Sequence, residues 1–326
     1  MRTERVEPPD GGALAPGLRW QHVFGVGIVL WLVSVGLLVT TQAINLVPTV
    51  ILLGSFLVPV TAVVFGTDHD VSPQVGPRTV VSAFVVGGLL GIYGAVLGEA
   101  LLLRPGPLEY AGVGLIEEGA KLLALVLVAR RLGRYTVRDG IVLGATVGFG
   151  FAALESSGYA FTALLTRQGL SVSGLVQTEV LRGLLAPVGH GLWTGILGGA
   201  LFGAAQGAGR LRLTGAVAAA YLGVAALHGL WDSMAELALL FTYRLTATPA
   251  QRAAAAAGQK ISPADATDAQ QAVFVACYAG GLLLISAVGL GWLVRLWRGG
   301  GPAPAAVGSS PADTRAPGRR AVPEAR

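Results

Sequence analysis

Glu117 and Glu118 stand side by side in the middle of an apolar stretch, AGVGLIEEGAKLLALVLVA, with Lys121 one helical turn further on. Three later apolar stretches also carry ionisable groups: Glu155, then His190, then His228 with Asp232. Carboxylates accept and return protons; imidazoles do the same, or hold a metal ion, or steady an oxyanion. Inside hydrocarbon each such group is costly unless paired, hydrated or metal-bound, so its presence points to function. Six of them on four segments point to an active site or an ion path.

Spacing sharpens this. His228 and Asp232 are i and i+4, so on a helix they share a face and can enter one cavity. Glu117 and Lys121 have the same relation, while Glu118 is rotated by about 100°. A Glu117–Lys121 salt bridge alone would leave Glu118, Glu155 and two imidazoles unexplained. Lys121 is expected to bias the ionisation of the pair, keeping one glutamate charged and able to take a proton from water. Two imidazoles with one or two carboxylates match the N/O ligand set of a catalytic zinc. They would equally serve a metal-free mechanism, with glutamate activating water and histidine stabilising an oxyanion. The residue types alone do not choose between these.

The elements that must position these groups are membrane helices. Mean hydropathy is +0.65, and only 13% of residues are charged, against roughly 25% in soluble domains. Eight apolar segments are long enough to span the bilayer, near 22–41, 46–66, 79–103, 110–130, 140–165, 180–206, 214–242 and 270–297. The expected fold is therefore all-α, a polytopic helical membrane protein of about eight spans. The first span is expected to be a retained helix, since its apolar run is too long for a signal peptide and no A-x-A-like site follows. Residues 1–21 and 299–326, rich in Pro, Gly, Ala and Arg, are expected to be disordered cytoplasmic tails around a domain at 22–298. In the sixth segment Gly191, Gly195, Gly199, Gly203 and Gly207 recur every fourth residue, a ridge against which a neighbouring helix can pack.

Lysine and arginine set the expected orientation. Sixteen fall in the tails and loops on the amino-terminal side and six on the other, with Lys121 inside a helix, which puts both termini in the cytoplasm. Counted inward from the opposite ends of their segments at 1.5 Å per residue, the polar groups all lie about 11–20 Å deep. Helices running in alternating directions thus bring them to one level. A single cysteine, Cys277, excludes a disulfide framework and any multi-thiolate metal site. The net charge of +5 is spread over loops and tails with no basic run interleaved with aromatics, so no nucleic-acid partner is expected.

Other intramembrane hydrolase patterns are absent. There is no H-E-x-x-H, Ser173 lies outside any G-x-S-G setting, and Asp232 has no second membrane aspartate to pair with. At the polar positions the chain resembles the PrsW family of intramembrane proteases, related to the CAAX prenyl protease and bacteriocin-processing superfamily. The E-E-x-x-K motif appears at Glu117, Glu118 and Lys121, F-x-x-x-E at Phe151 and Glu155, and H-x-x-x-D at His228 and Asp232. A histidine helix carrying His190 precedes the last of these, and the resemblance covers roughly residues 110–235. Ser156 departs from the pattern, which has asparagine after the glutamate. The resemblance implies peptide-bond hydrolysis within the membrane of a bacterial cell, typified by site-one cleavage of a membrane-spanning anti-sigma factor. It implies Glu117 as general base, with Glu118 orienting or supporting the site electrostatically. Glu155, His190 and His228 would bind metal, with zinc as the candidate ion, or stabilise the oxyanion, and Asp232 would orient His228 or share its ligand role.

Two readings from other classes compete. A proton- or cation-coupled transporter would use a Glu/His/Asp relay, but such proteins often show broken helices repeated in two halves, and here the polar groups cluster in segments four to seven only. A catalytically idle scaffold of the same fold would show loss of motif residues, and all are present.

Overall fold

The structure, a computed structural model, describes residues 19–68, 72–259 and 266–300. The expected tails fall outside these residues, except that Trp20 and Gln21 already belong to the first helix and Gly299 closes the last.

Helices α1 (Trp20–Thr41), α2 (Val47–Thr67), α3 (Pro77–Leu102), α4 (Glu109–Ala129) and α5 (Val137–Leu164) follow one another through short connections. A small hairpin of β1 (Leu165–Thr166) and β2 (Gly169–Leu170) then leads to α6 (Val172–Leu185), α7 (His190–Ala205), α8 (Gly215–Asp232), α9 (Met234–Thr246), α10 (Pro249–Ala256) and α11 (Asp268–Gly299). Their starts are encoded locally. Thr136, Ser171 and Thr214 cap α5, α6 and α8 by accepting from backbone N–H groups three residues on, and Pro77 opens α3. Thr248 with Gln251 and Thr267 with Gln270 form capping boxes on α10 and α11. The two glutamine amides also bond each other, Gln270 Nε2 donating to Gln251 Oε1 at 2.8 Å, which ties the long connection after α9 to α11.

Among the described residues six spans are long and apolar enough to cross a membrane: α1, α2 with its preceding turn, α3, α5, α6 with α7, and α11. The bent pair α8–α9 makes a seventh. All eight expected segments are helical, and α4, 21 residues long, fails that test only because Glu117, Glu118 and Lys121 sit in its middle. Two segments expected to be continuous are broken. The sixth divides at a 3-10 turn, Ala186–Val188, and Gly189, where Pro187 has no N–H to continue the ladder, so His190 opens a new helix. The seventh turns by 57° after Asp232. Gly207 lies beyond the end of α7 in a turn with φ +78°, outside the ridge formed by the other four glycines.

Lipid tails are as apolar as leucine, so close packing and hydrogen bonds hold these helices together. The centre is α5, pressed between α3 and α7. A Cβ on Gly140, Gly144 or Gly148 would strike the carbonyls of Gly198, Thr194 and His190 respectively, so the backbones of α5 and α7 nearly touch. On the other face a Cβ on Gly87 of α3 would come within 2.6 Å of Val147 Cα. Helices α4 and α8 meet in the same way, Gly114 lying against the Ala225 carbonyl and Gly229 against that of Tyr110. Around these crossings Trp193, Ile196, Leu197, Leu201 and Phe202 of α7 interlock with Leu125, Leu143, Val147 and Val224. Helix α1 is peripheral; its polar tether is Trp31 Nε1, which donates to the buried Glu179 of α6 at 2.8 Å.

Candidate active site

Four of these helices carry the residues singled out by sequence, and a fifth, α6, adds one. Lys121 on α4 is fully buried and all three of its protons are used. Its Nζ donates to Glu118 Oε1 at 2.7 Å, to Glu117 Oε2 at 3.2 Å and to His190 Nδ1 at 2.8 Å. A lysine ammonium only donates, so Nδ1 of His190 accepts. The opposite nitrogen, Nε2, then carries the proton and donates to Glu155 Oε2 at 2.9 Å.

His228 Nδ1 donates to Glu118 Oε1 at 3.1 Å. Its Nε2 lies 3.3 Å from Asp232 Oδ2 and 3.6 Å from Glu117 Oε2. Thr194 Oγ1 donates to the second oxygen of Glu118 at 3.4 Å. Aromatic rings wall the network: Trp193 stacks on His228 with centroids 4.7 Å apart, and Lys121 Nζ lies 4.1 Å from the centre of the Phe151 ring. All seven expected residues thus belong to one continuous network. Enclosure is graded across it. Glu118 and Lys121 are sealed, the Glu117 side chain is 8% exposed, and Glu155 and Asp232 reach 18% and 29% at the rim.

Several members were not singled out by sequence. Arg182 of α6, counted there among the loop charges, pairs through Nη2 with Glu155 and donates from Nε to Ser156 Oγ at 2.7 Å. Its guanidinium lies 4.3 Å from the centre of the Tyr159 ring. Ser156, the departure from the family pattern, is therefore an acceptor for this arginine. One signal was available: His190-Gly-Leu-Trp193-Thr194 repeats His228-Gly-Leu-Trp231-Asp232, and in both copies the fifth residue is polar and joins the network. Arg182 has no comparable signal, because its partner Glu155 lies 27 residues away on another helix.

The donor set can be tested against a metal ion. Glu117, His190 and His228 each offer one ligand atom, all within 4.8 Å of one another. The far nitrogen of each imidazole donates to a carboxylate, His190 to Glu155 and His228 to Glu118, the partnership that orients metal-bound histidines. His228 Nε2 faces only acceptors, which a proton or a metal there would satisfy. Four carboxylates meet two fixed cations, Lys121 and Arg182, so with neutral imidazoles the network is two positive charges short. A divalent ion supplies that difference; so do two protons. The residues fit a divalent metal, provided Lys121 turns from His190 Nδ1 and keeps its closer bond to Glu118. The geometric trio takes Glu117 as its carboxylate, while Glu155 sits behind His190.

Fold and site together define a multi-pass membrane protein with an acid–imidazole centre enclosed by its own helices. The sequence profile described as PrsW family intramembrane metalloprotease matches residues 75–253, more than half of the chain, and the chain belongs to that family. It carries an intramembrane protease domain that begins just before α3 and takes in every residue of the network, with α1, α2 and α11 outside the matched stretch. No curated protein and no solved structure matches the chain.

Proposed function

We propose that the protein is an endopeptidase that cuts membrane-spanning protein substrates, with water activated at the centre formed by Glu117, Glu118, Glu155, His190, His228 and Asp232. One observation carries this reading: four carboxylates and two imidazoles are joined through Lys121 into a single hydrogen-bonded network inside the helix bundle. Glu118, held by Lys121, Thr194 and His228 and closed to solvent, is an orienting group. Glu117 is less enclosed, has one ion pair to Lys121 and faces both imidazoles, which suits it to be the base.

As water oxygen attacks the peptide carbonyl carbon, its proton passes to Glu117, and the Nε2–H of a protonated His228 steadies the developing oxyanion. Collapse breaks the C–N bond and Glu117 returns the proton to the leaving nitrogen, yielding a carboxylic acid and an amine, which then exchange a proton to become carboxylate and ammonium. Glu117, His190 and His228 would hold a divalent ion such as zinc, which when bound polarises the carbonyl and acidifies water. With such an ion Glu117 would serve as a ligand, and Asp232, the more exposed carboxylate beside His228, would remain free to take a proton.

The test is reconstitution in liposomes with candidate single-pass substrates. Wild-type protein should release fragments, and Glu117→Gln should fold and insert normally while losing about 10²–10⁴ in rate. Fragments produced equally by both proteins, or by neither, would end this reading. Proton-coupled uptake lost in the variant without any cleavage would favour transport instead.

A further inference from the structure

We propose that Arg182 is a positioning residue of this centre: acting through Glu155, it fixes the ring orientation of His190 and the hydrogen bond made by its Nε2 proton. The imidazole is held from two sides. Lys121 Nζ, a pure donor, takes Nδ1 as acceptor at 2.8 Å, and Glu155 Oε2, a pure acceptor when ionised, takes the Nε2 proton at 2.9 Å. The lysine side is anchored by two further glutamates. The Glu155 side depends on Arg182, because among the described residues Glu155 receives hydrogen bonds only from Arg182 and His190.

The arginine has a built socket. Its guanidinium meets Glu155, the adjacent Ser156 Oγ at 2.7 Å and the Tyr159 ring, one turn further along α5, at 4.3 Å. A planar fork can bond two neighbouring acceptors while its face lies on an aromatic ring, which a lysine cannot imitate. Arg182 lies near the end of α6, which stops at Leu185, and His190 opens α7, so two successive helices bring these residues to the same carboxylate. Without Arg182 the carboxylate is free to swing toward solvent. Lys121 still holds Nδ1, but Nε2 loses its acceptor, and the ring loses one of the two contacts that aim Nδ1 at Glu117 and Lys121.

The test uses full-length protein with ¹⁵N-labelled histidine in nanodiscs, the His190 signals being identified by their loss in His190→Gln. Wild type should show one protonated nitrogen on His190, Nε2, and a bare Nδ1. Arg182→Met should move and broaden the Nε2 signal as its carboxylate acceptor is lost, Arg182→Lys partway, and Ser156→Ala more weakly in the same direction. Spectra superimposable on wild type in Arg182→Met, or in Arg182→Lys and Ser156→Ala if that variant does not fold, would overturn the proposal. A second arm rests on the protease reading: kcat should fall about 10–100-fold in Arg182→Met with KM unchanged, the size seen when such carboxylate-holding partners are removed. A displaced Nε2 signal with undiminished kcat would overturn the positioning role. Absence of proteolysis in wild type would count against the protease reading alone, and the ¹⁵N spectra would still decide for Arg182.

Discussion

Lys121 is more than a bias on the ionisation of its neighbours. It is the buried hub through which both glutamates and His190 are joined. Removing one partner of a buried ion pair typically costs about 3–5 kcal/mol, because the other charge is left uncompensated. Lys121→Met should therefore lower the thermal unfolding midpoint in detergent well below that of Glu117→Gln, and an unchanged midpoint would mean that other groups neutralise the glutamates. The charge deficit of the network makes a second residue-scale prediction. If zinc binds Glu117, His190 and His228, chelator-treated protein should take up about one equivalent, and binding should release about two protons. Calorimetry in buffers of different ionisation enthalpy measures both, and His228→Ala should abolish the signal. Full cleavage activity in protein shown to be metal-free would assign catalysis to the glutamates alone.

Among the elements, the contact between α5 and α7 governs the geometry of the site. The carbonyl of His190 lies where a side chain on Gly148 would have to go, so the glycine positions the histidine although it has no chemistry of its own. Gly148→Val should cost about 1–3 kcal/mol through overpacking and, by displacing His190 on the order of 1 Å, about 10² in rate. Gly158→Ala on the same helix, where a Cβ meets nothing within 4 Å, is the matched control and should leave rate and stability near wild type. Equal effects of both substitutions would show that α5 tolerates no side chain anywhere, and the specific contact would lose its role. The i+4 glycines read from α7 do face α5, through Phe149, Ile141 and Val137. The tighter ridge is the one on α5, since Gly140, Gly144 and Gly148 accept backbone carbonyls, where the α7 glycines accept mainly side chains.

Across the whole molecule, the uneven distribution of arginine fixes an expected orientation that can be measured. Reporter fusions in the connection after Arg131 and in that after Arg212 should report cytoplasm, and fusions at Gln168 of the hairpin and Ala255 of α10 should report the opposite side. An inverted pattern would place the exposed rim of the network, with Glu155 and Asp232, on the cytoplasmic half of the bilayer. The family match and the architecture also separate here. The matched stretch holds α3 to α9, where every network residue lies, whereas α1 and α2 join it chiefly through apolar packing and the Trp31–Glu179 bond.

Much of this protein is determined by its sequence alone, because the bilayer is an unforgiving solvent. An apolar run must be a helix to satisfy its own backbone, and a charge within it must have a partner. That suffices to predict an all-helical membrane protein and to single out Glu117, Glu118, Lys121, Glu155, His190, His228 and Asp232. Which of them touch was not legible in that way. The joining of Lys121 to His190, the seat of Glu155 behind that imidazole and the capture of Arg182 all depend on contacts across more than 25 residues of chain. Those contacts are set by where α6 breaks from α7 and by how closely glycine lets α5 and α7 approach. Hydropathy registers neither, since a break and a crossing are properties of three-dimensional packing, decided when carbonyls and side chains compete for the same space.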